Sequence, residues 1–143
     1  MEVYWRSFFS QKNETFAKFL ESKPIIIPVP LHPKRQKLRG FNQSELIAKE
    51  VSKRFGLPFS KRIVIRKKLT KPQAELKKKE RLQNMTNAFS PSPEVLRISK
   101  KPLKGRSVLL IDDVWTTGST MQACAKVLKS LGAEKIWAFT LAR

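Results

Sequence analysis

The chain of 143 residues holds one cysteine, one histidine, five glycines and only eleven acids against thirty lysines and arginines. With Cys124 alone, an internal disulfide and a multi-cysteine zinc site are both excluded. No apolar run approaches the roughly 20 residues that a bilayer-spanning helix needs, so no membrane insertion is expected. The amino terminus lacks the basic-then-apolar order of a signal peptide, and a soluble, cytoplasmic protein is the expectation. No Gly-x-x-x-x-Gly-Lys-Ser/Thr string occurs, which removes the phosphate cradle of a P-loop nucleotide hydrolase. Repeats and linkers are also missing, and the length suits one domain, 1–143, with a core of its own. The shortage of acids leaves a formal charge of +19. Such a potential draws polyanions: nucleic acid, nucleotides or an anionic membrane surface. A merely solvated lysine-rich surface is the plainer reading, and charge does not speak to fold.

The stretch that organises the rest spans residues 108–120. Val108, Leu109, Leu110 and Ile111 read as a strand buried on both faces, the kind found in parallel sheets. Asp112 and Asp113 stand at its end, then Thr116, Thr117, Gly118, Ser119 and Thr120 form a hydroxyl-rich loop before an amphipathic helix. Open α/β folds bind ligands where a sheet's carboxyl edge meets a helix amino terminus. Unpaired N–H groups and partial positive charge at that helix end suit a phosphate. Adjacent carboxylates suit two ribose hydroxyls, or a magnesium ion bridging sugar and phosphate. A strand ending in two acids also describes the Walker B element of ATPases and the acidic pocket of receiver domains. The first lacks its cradle here, and the second has no need of the Thr-Thr-Gly-Ser-Thr loop.

Among residues 1–23, Phe16, Phe19 and Leu20 share a helical face with Asn13 as N-cap. The aromatics interleave with Arg6, Lys12 and Lys18 and could stack on single-stranded bases, though core packing is the simpler use. Ile25, Ile26 and Ile27 begin a second buried strand that Pro28 and Pro30 stop. A proline-fixed turn follows, Leu31-His32-Pro33-Lys34-Arg35, whose backbone donors and basic residues favour an anion such as pyrophosphate. His32, the only histidine, is either a general base or a structural loop residue. Arg39, beside the Gly40 turn, suits a bidentate phosphate contact. Asn42 and Glu45 read as a capping box opening a helix with Ile47, Val51 and Phe55 on one face, closed by Gly56 and Pro58.

Ile63, Val64 and Ile65 read as a short strand. Residues 67–84 are dense in charge, with Leu76 and Leu82 as the chief apolar anchors, and such a segment buries little and is expected to be mobile. Lys77, Lys78, Lys79 and Arg81 could neutralise pyrophosphate, track a DNA backbone, or simply face solvent. After Pro91-Ser92-Pro93, Val95, Leu96, Arg97 and Ile98 read as a strand ahead of a basic turn over 100–106. Met121, Cys124, Ala125, Leu128 and Leu131 fall at helical spacing, so Cys124 reads as a small core residue. Gly132 caps that helix and residues 136–141 form the last strand. Alternating strands and helices imply a parallel sheet with right-handed crossovers.

Residues 108–120 resemble the phosphoribosyl-pyrophosphate (PRPP) loop of type I phosphoribosyltransferases. With Pro28-Val29-Pro30-Leu31-His32, the string Arg39-Gly40-Phe41-Asn42-Gln43-Ser44 and scattered Thr70, Gln73, Leu76, Arg81, Asn84 and Phe89, the chain is similar to the ComF/ComFC family over about 25–143. The resemblance implies an α/β type I phosphoribosyltransferase fold: a mostly parallel central sheet flanked by helices, with a mobile charged lid over 66–90. It implies that Asp112 and Asp113 hold the ribose hydroxyls and Mg2+, through water or those hydroxyls, as the catalytic acids. Thr116, Thr117, Gly118, Ser119 and Thr120 would grip the 5′-phosphate. Val29, Pro30, Leu31, His32 and Arg39 would take the pyrophosphate, and Lys77, Lys78, Lys79 and Arg81 would close with the lid. The implied function is PRPP binding in natural competence and DNA uptake. Implied partners are single-stranded DNA, a ComFA-type helicase and a DNA-processing protein. An active transferase in nucleobase salvage, and a single-stranded DNA-binding module that uses the fold as scaffold, remain the alternatives. The four-cysteine zinc element usual in this family is absent from the sequence.

Overall fold

A computed structural model describes residues 4–5, 14–67, 77 and 88–142. In chain order its elements are β1 (Tyr4–Trp5), α1 (Glu14–Glu21), β2 (Ile25–Pro28), α2 (Pro33–Arg39), α3 (Gln43–Phe55) and β3 (Val64–Arg66). There follow β4 (Phe89–Pro91), α4 (Pro93–Ile98), β5 (Ser107–Val114), α5 (Ser119–Ser130) and β6 (Lys135–Ala142). The main sheet has the order β1-β6-β5-β2 and every pairing in it is parallel. The four apolar residues 108–111 sit at its centre, paired with Ile25, Ile26, Ile27 and Pro28 on one side and with residues 136–139 on the other.

Side chains alternate across a strand, and the sheet accordingly has two apolar faces. Val108, Leu110, Ile27, Val29, Ile136 and Ala138 belong to one core cluster, which α5 covers with Met121, Cys124, Ala125 and Leu128. Leu109, Ile111, Ile26, Trp137 and Phe139 belong to the other, closed by Phe19 of α1 and Ala48 and Val51 of α3. The rings of Phe16 and Phe19 lie 5.4 Å and 5.1 Å from that of Trp137. Phe19 is therefore a core residue and Phe16, partly buried, packs against that core. A fully buried apolar side chain contributes about 1.5–3 kcal/mol relative to exposure.

Some expectations need correction. Residues 95–98 form the helix α4, not a strand: Ser92 is extended ahead of it, Pro93 occupies its first turn and Glu94 is the first-turn acid. Those helix-start features outweigh a short apolar run. The turn after β2 is the start of α2, with Pro33 in its first turn and Gly40 (φ 80°) closing it; α2 buries none of its residues, so no apolar stripe marks it. Asn42 caps α3, but Glu45 does not complete a capping box; its carboxylate meets Lys49 at 2.8 Å and Lys61 at 3.0 Å. Phe55, placed on the apolar face by spacing, remains exposed.

The short strand near residue 64 pairs antiparallel with β4, making a two-stranded ribbon apart from the main sheet. Ile63, Val64, Ala88 and Phe89 anchor the ribbon in the cluster that α5 covers. The connection between its strands, including Thr70, Gln73, Leu76, Lys78, Lys79, Arg81 and Asn84, lies outside the described residues, as does Asn13. Lys77 is described and is exposed. Among the described residues no helix is long and apolar enough to cross a membrane.

Candidate functional site

At the carboxyl edge of the sheet the central strands part. The Val29 N–H donates to Ile111 O at 2.8 Å, the last link between them. Beyond it one chain turns through Pro30, Leu31 and His32 into α2, and the other runs on through Asp112 and Asp113. A cleft of about 190 Å³ opens between them. Val29, Pro30 and Leu31 line one side, and Asp112, Asp113, Thr116 and Thr120 the other. This is the position at which open parallel sheets hold ligands.

Both acids are still within β5, which extends to Val114 rather than ending before them. Asp112 Oδ1 accepts from Ser44 Oγ at 2.8 Å and from the Asp113 N–H at 2.9 Å. Asp113 Oδ1 accepts from the Val114 N–H at 2.9 Å. Burial pushes the Asp112 carboxyl up to about 7; the Ser44 hydroxyl opposes that rise and the neighbouring Asp113 adds to it. A partly buried acid held near neutrality in a cleft is a frequent mark of a functional group.

Adjacent carboxylates are hard oxygen donors, and Mg2+ typically takes one or two of these plus water and substrate phosphates instead of an all-protein cage. Among the described residues no group of three His, Cys, Asp or Glu side chains converges on one point. The pair therefore fits an ion that arrives with a phosphorylated ligand, and does not fit a resident structural metal.

The hydroxyl-rich turn begins α5. Ser119 and Thr120 are its first residues and Gly118 (φ 81°) its cap, so two of the five supposed loop residues are helical. Thr117 Oγ1 and Ser119 Oγ share a hydrogen bond of 2.9 Å, which fixes the turn from inside. Thr116 and Thr120 line the cleft, while Thr117, Gly118 and Ser119 are not among its lining residues. The amino end of this 12-residue helix brings its positive dipole end to that wall.

On the opposite wall the backbone offers less than the sequence suggested. The Val29 N–H is held by the sheet and Pro30 has none, so Leu31 and His32 are the donors of that segment. His32 does not line the cleft; its Nδ1 accepts from the Lys34 N–H at 3.2 Å and caps α2. Arg39 does line it, and so does Arg35 from the basic run behind the turn. Arg66, Ser44, Asn42 and Gln43 also line it; the sequence marks Asn42 only as a helix cap and Gln43 and Ser44 only as part of the family-like string, and none of the four as a ligand contact. Arg66 stands at the end of β3 with its guanidinium 5.2 Å from the Phe89 ring centre. Burial and the nearby Arg35 lower its pKa, against the pull of Asp112. Only the tertiary fold brings Arg66 here; no local pattern marks it. Lys77 does not line the cleft.

The model of the phosphoribosyl transferase domain matches residues 42–143. The chain belongs to that family. This phosphoribosyl transferase domain is 45% identical over 124 residues to competence protein F of Haemophilus influenzae, an alignment covering 87% of this chain and 52% of that protein. It is 32% identical over 139 residues to competence protein ComFC of Bacillus subtilis, covering 96% of this chain and 52% of the other. It is 34% identical over 118 residues to DNA utilization protein YhgH of Escherichia coli K12, with 82% and 48% covered. The chain spans about half the length of the curated relatives it matches. Within the phosphoribosyl transferase family it is a ComF/ComFC protein. The matched segment includes Ser44, both acids and the whole hydroxyl-rich turn, whereas residues 29–39 precede it.

Proposed function

We propose that the cleft binds PRPP together with Mg2+, and that the chain acts in competence by coupling that site to the handling of incoming single-stranded DNA. The observation that carries the first half is that Asp112 and Asp113 line the same cleft as Arg35, Arg39 and Arg66. A ligand that is a diol at its centre and polyanionic at its end satisfies both walls at once. In this reading Asp112 and Asp113 accept hydrogen bonds from the ribose hydroxyls. Residues 116–120 and the start of α5 receive the 5′-phosphate through N–H and hydroxyl donors. The Leu31 and His32 N–H groups with the three arginines take the pyrophosphate. Bound Mg2+ would supply charge neutralisation of the pyrophosphate, which is what a leaving group at the anomeric carbon needs.

The second half is supported by the +19 charge and by the names of the relatives, two of them competence proteins and one a DNA utilization protein. A helicase and a DNA-processing protein of the uptake machinery are the partners this role calls for. Calorimetry with PRPP and Mg2+, on the wild type and on the pair Asp112→Ala plus Asp113→Ala, tests the ligand. Saturable, Mg2+-dependent heat lost in the double variant supports it, and no binding at millimolar PRPP refutes it. A screen for pyrophosphate release across nucleobases separates the competence reading from salvage, since only a salvage transferase releases it with a base as acceptor.

A further inference from the structure

The ladder between β2 and β5 stops at the pair Pro28 and Ile111, one residue short of the walls of the cleft. Something else must hold those walls at a fixed separation. Two polar residues at the start of α3 are in the right place: Asn42 is 8% exposed and Ser44 3%. Buried polar side chains need partners, and the partners here lie on both sides of the cleft. Asn42 Nδ2 donates to Val29 O at 3.1 Å, on the pyrophosphate side. Asn42 Oδ1 accepts from the Ser44 N–H at 3.1 Å, and Ser44 Oγ donates to Asp112 Oδ1 at 2.8 Å, on the ribose side. Capping α3 requires only the middle bond of these three. The outer two are surplus to the helix.

We infer that Asn42 and Ser44 are positioning residues forming a strap that holds the ribose-binding acid and the pyrophosphate-binding turn in one register. The inference rests on the PRPP reading and deepens it. Ser44 fixes which way Asp112 presents its carboxylate, and Asn42 fixes where the chain leaves β2 for the donors of Leu31 and His32. A ligand whose ribose and pyrophosphate are covalently joined gains from walls already set at the right spacing, because less ordering remains to be done on binding. The ribose and pyrophosphate pieces offered separately gain less.

The test compares three probes, Mg2+-PRPP, ribose 5-phosphate and Mg2+-pyrophosphate, by calorimetry on the full chain. Ser44→Ala is expected to weaken PRPP and ribose 5-phosphate by about tenfold or more, the scale of losing a hydrogen bond to a charged group. Pyrophosphate affinity should stay within about twofold. Asn42→Ala should weaken pyrophosphate and PRPP together. In an Asp112→Asn background Ser44→Ala should cause no further loss, because the hydroxyl acts through that carboxylate. Ser44→Cys, close in volume and a weak donor, keeps the test open if the alanine variant folds poorly, and should fall between wild type and Ser44→Ala. Equal weakening of all three probes by Ser44→Ala, or full additivity with Asp112→Asn, overturns the strap. A wild type that binds PRPP while Ser44→Ala binds it equally well overturns the strap alone; a wild type that binds no PRPP overturns both it and the PRPP reading.

Discussion

The far edge of the Trp115 indole occupies the space where a side chain on Gly118 would begin: a Cβ there would collide with the ring's Cη2. Gly118 also has φ 81°, a conformation that L side chains rarely adopt. The ring thus closes over the backbone at the point where the acids give way to the helix amino terminus.

Gly118→Ala should therefore strain the backbone and displace the indole. A cost of about 1–3 kcal/mol is expected, together with loss of PRPP affinity through the displaced turn. Chemical unfolding reads the stability, calorimetry the affinity and tryptophan emission the movement. Unchanged emission and affinity would mean that the turn accommodates a methyl group.

Asp112 sets a pH dependence for the protein without ligand or metal. Its native pKa, about 7, lies above that of an unfolded aspartate, so between the two the native state binds more protons than the unfolded one. Stability from this group is fully present below the unfolded value and is lost as pH rises to about 7. Asp112→Asn should remove this loss and make the apo protein more stable at pH 8, by on the order of 1–3 kcal/mol, while weakening Mg2+-dependent PRPP binding to a level still measurable. Urea unfolding at pH 5 and pH 8 checks both signs. A gain in function-free stability of this kind is what a charge retained for binding predicts.

Arg66 is half buried beside Arg35, so burial and like charge weigh against its charged form while Asp112 favours it. Arg66→Met should reduce PRPP and pyrophosphate affinity by roughly 10–100-fold. Apo stability should change by no more than about 1 kcal/mol, since relief of like charge offsets the lost contact with Phe89. Affinity and unfolding measured on the same variant decide whether the side chain serves the ligand or the fold.

Direct contact with single-stranded DNA should be electrostatic. Fluorescence anisotropy with a short oligonucleotide should show affinity falling by roughly 10³-fold or more from 50 to 200 mM salt, for neutralisation of six or more phosphates. Salt-insensitive binding, or none, would assign the positive charge to another purpose.

The sheet and its helices were legible because their signals are local and periodic. Residues 108–111 and 25–27 are continuous apolar runs, and the buried positions 121, 124, 125 and 128 of α5 repeat at helical spacing. The acids and the hydroxyl-rich turn were legible because chain adjacency itself makes the chemistry. The cationic wall was only half visible: Arg39 and the basic run stood near the turn, but Arg66 enters on a ribbon strand with no mark of its own. Ser44 was hidden for the same reason, since a serine in the first turn of a helix looks like ordinary capping chemistry until Asp112, 68 residues away, is found against it. The short helices α2 and α4 were missed because neither buries any of its residues, leaving only their proline starts to announce them.

Amide resonances recorded before and after adding PRPP and Mg2+ test the central claim most directly. The account predicts saturable shifts at both walls together, at residues 31–32 on one side and at 112–120 on the other, at one common ligand concentration. Shifts at only one wall, or none at millimolar ligand, would contradict it.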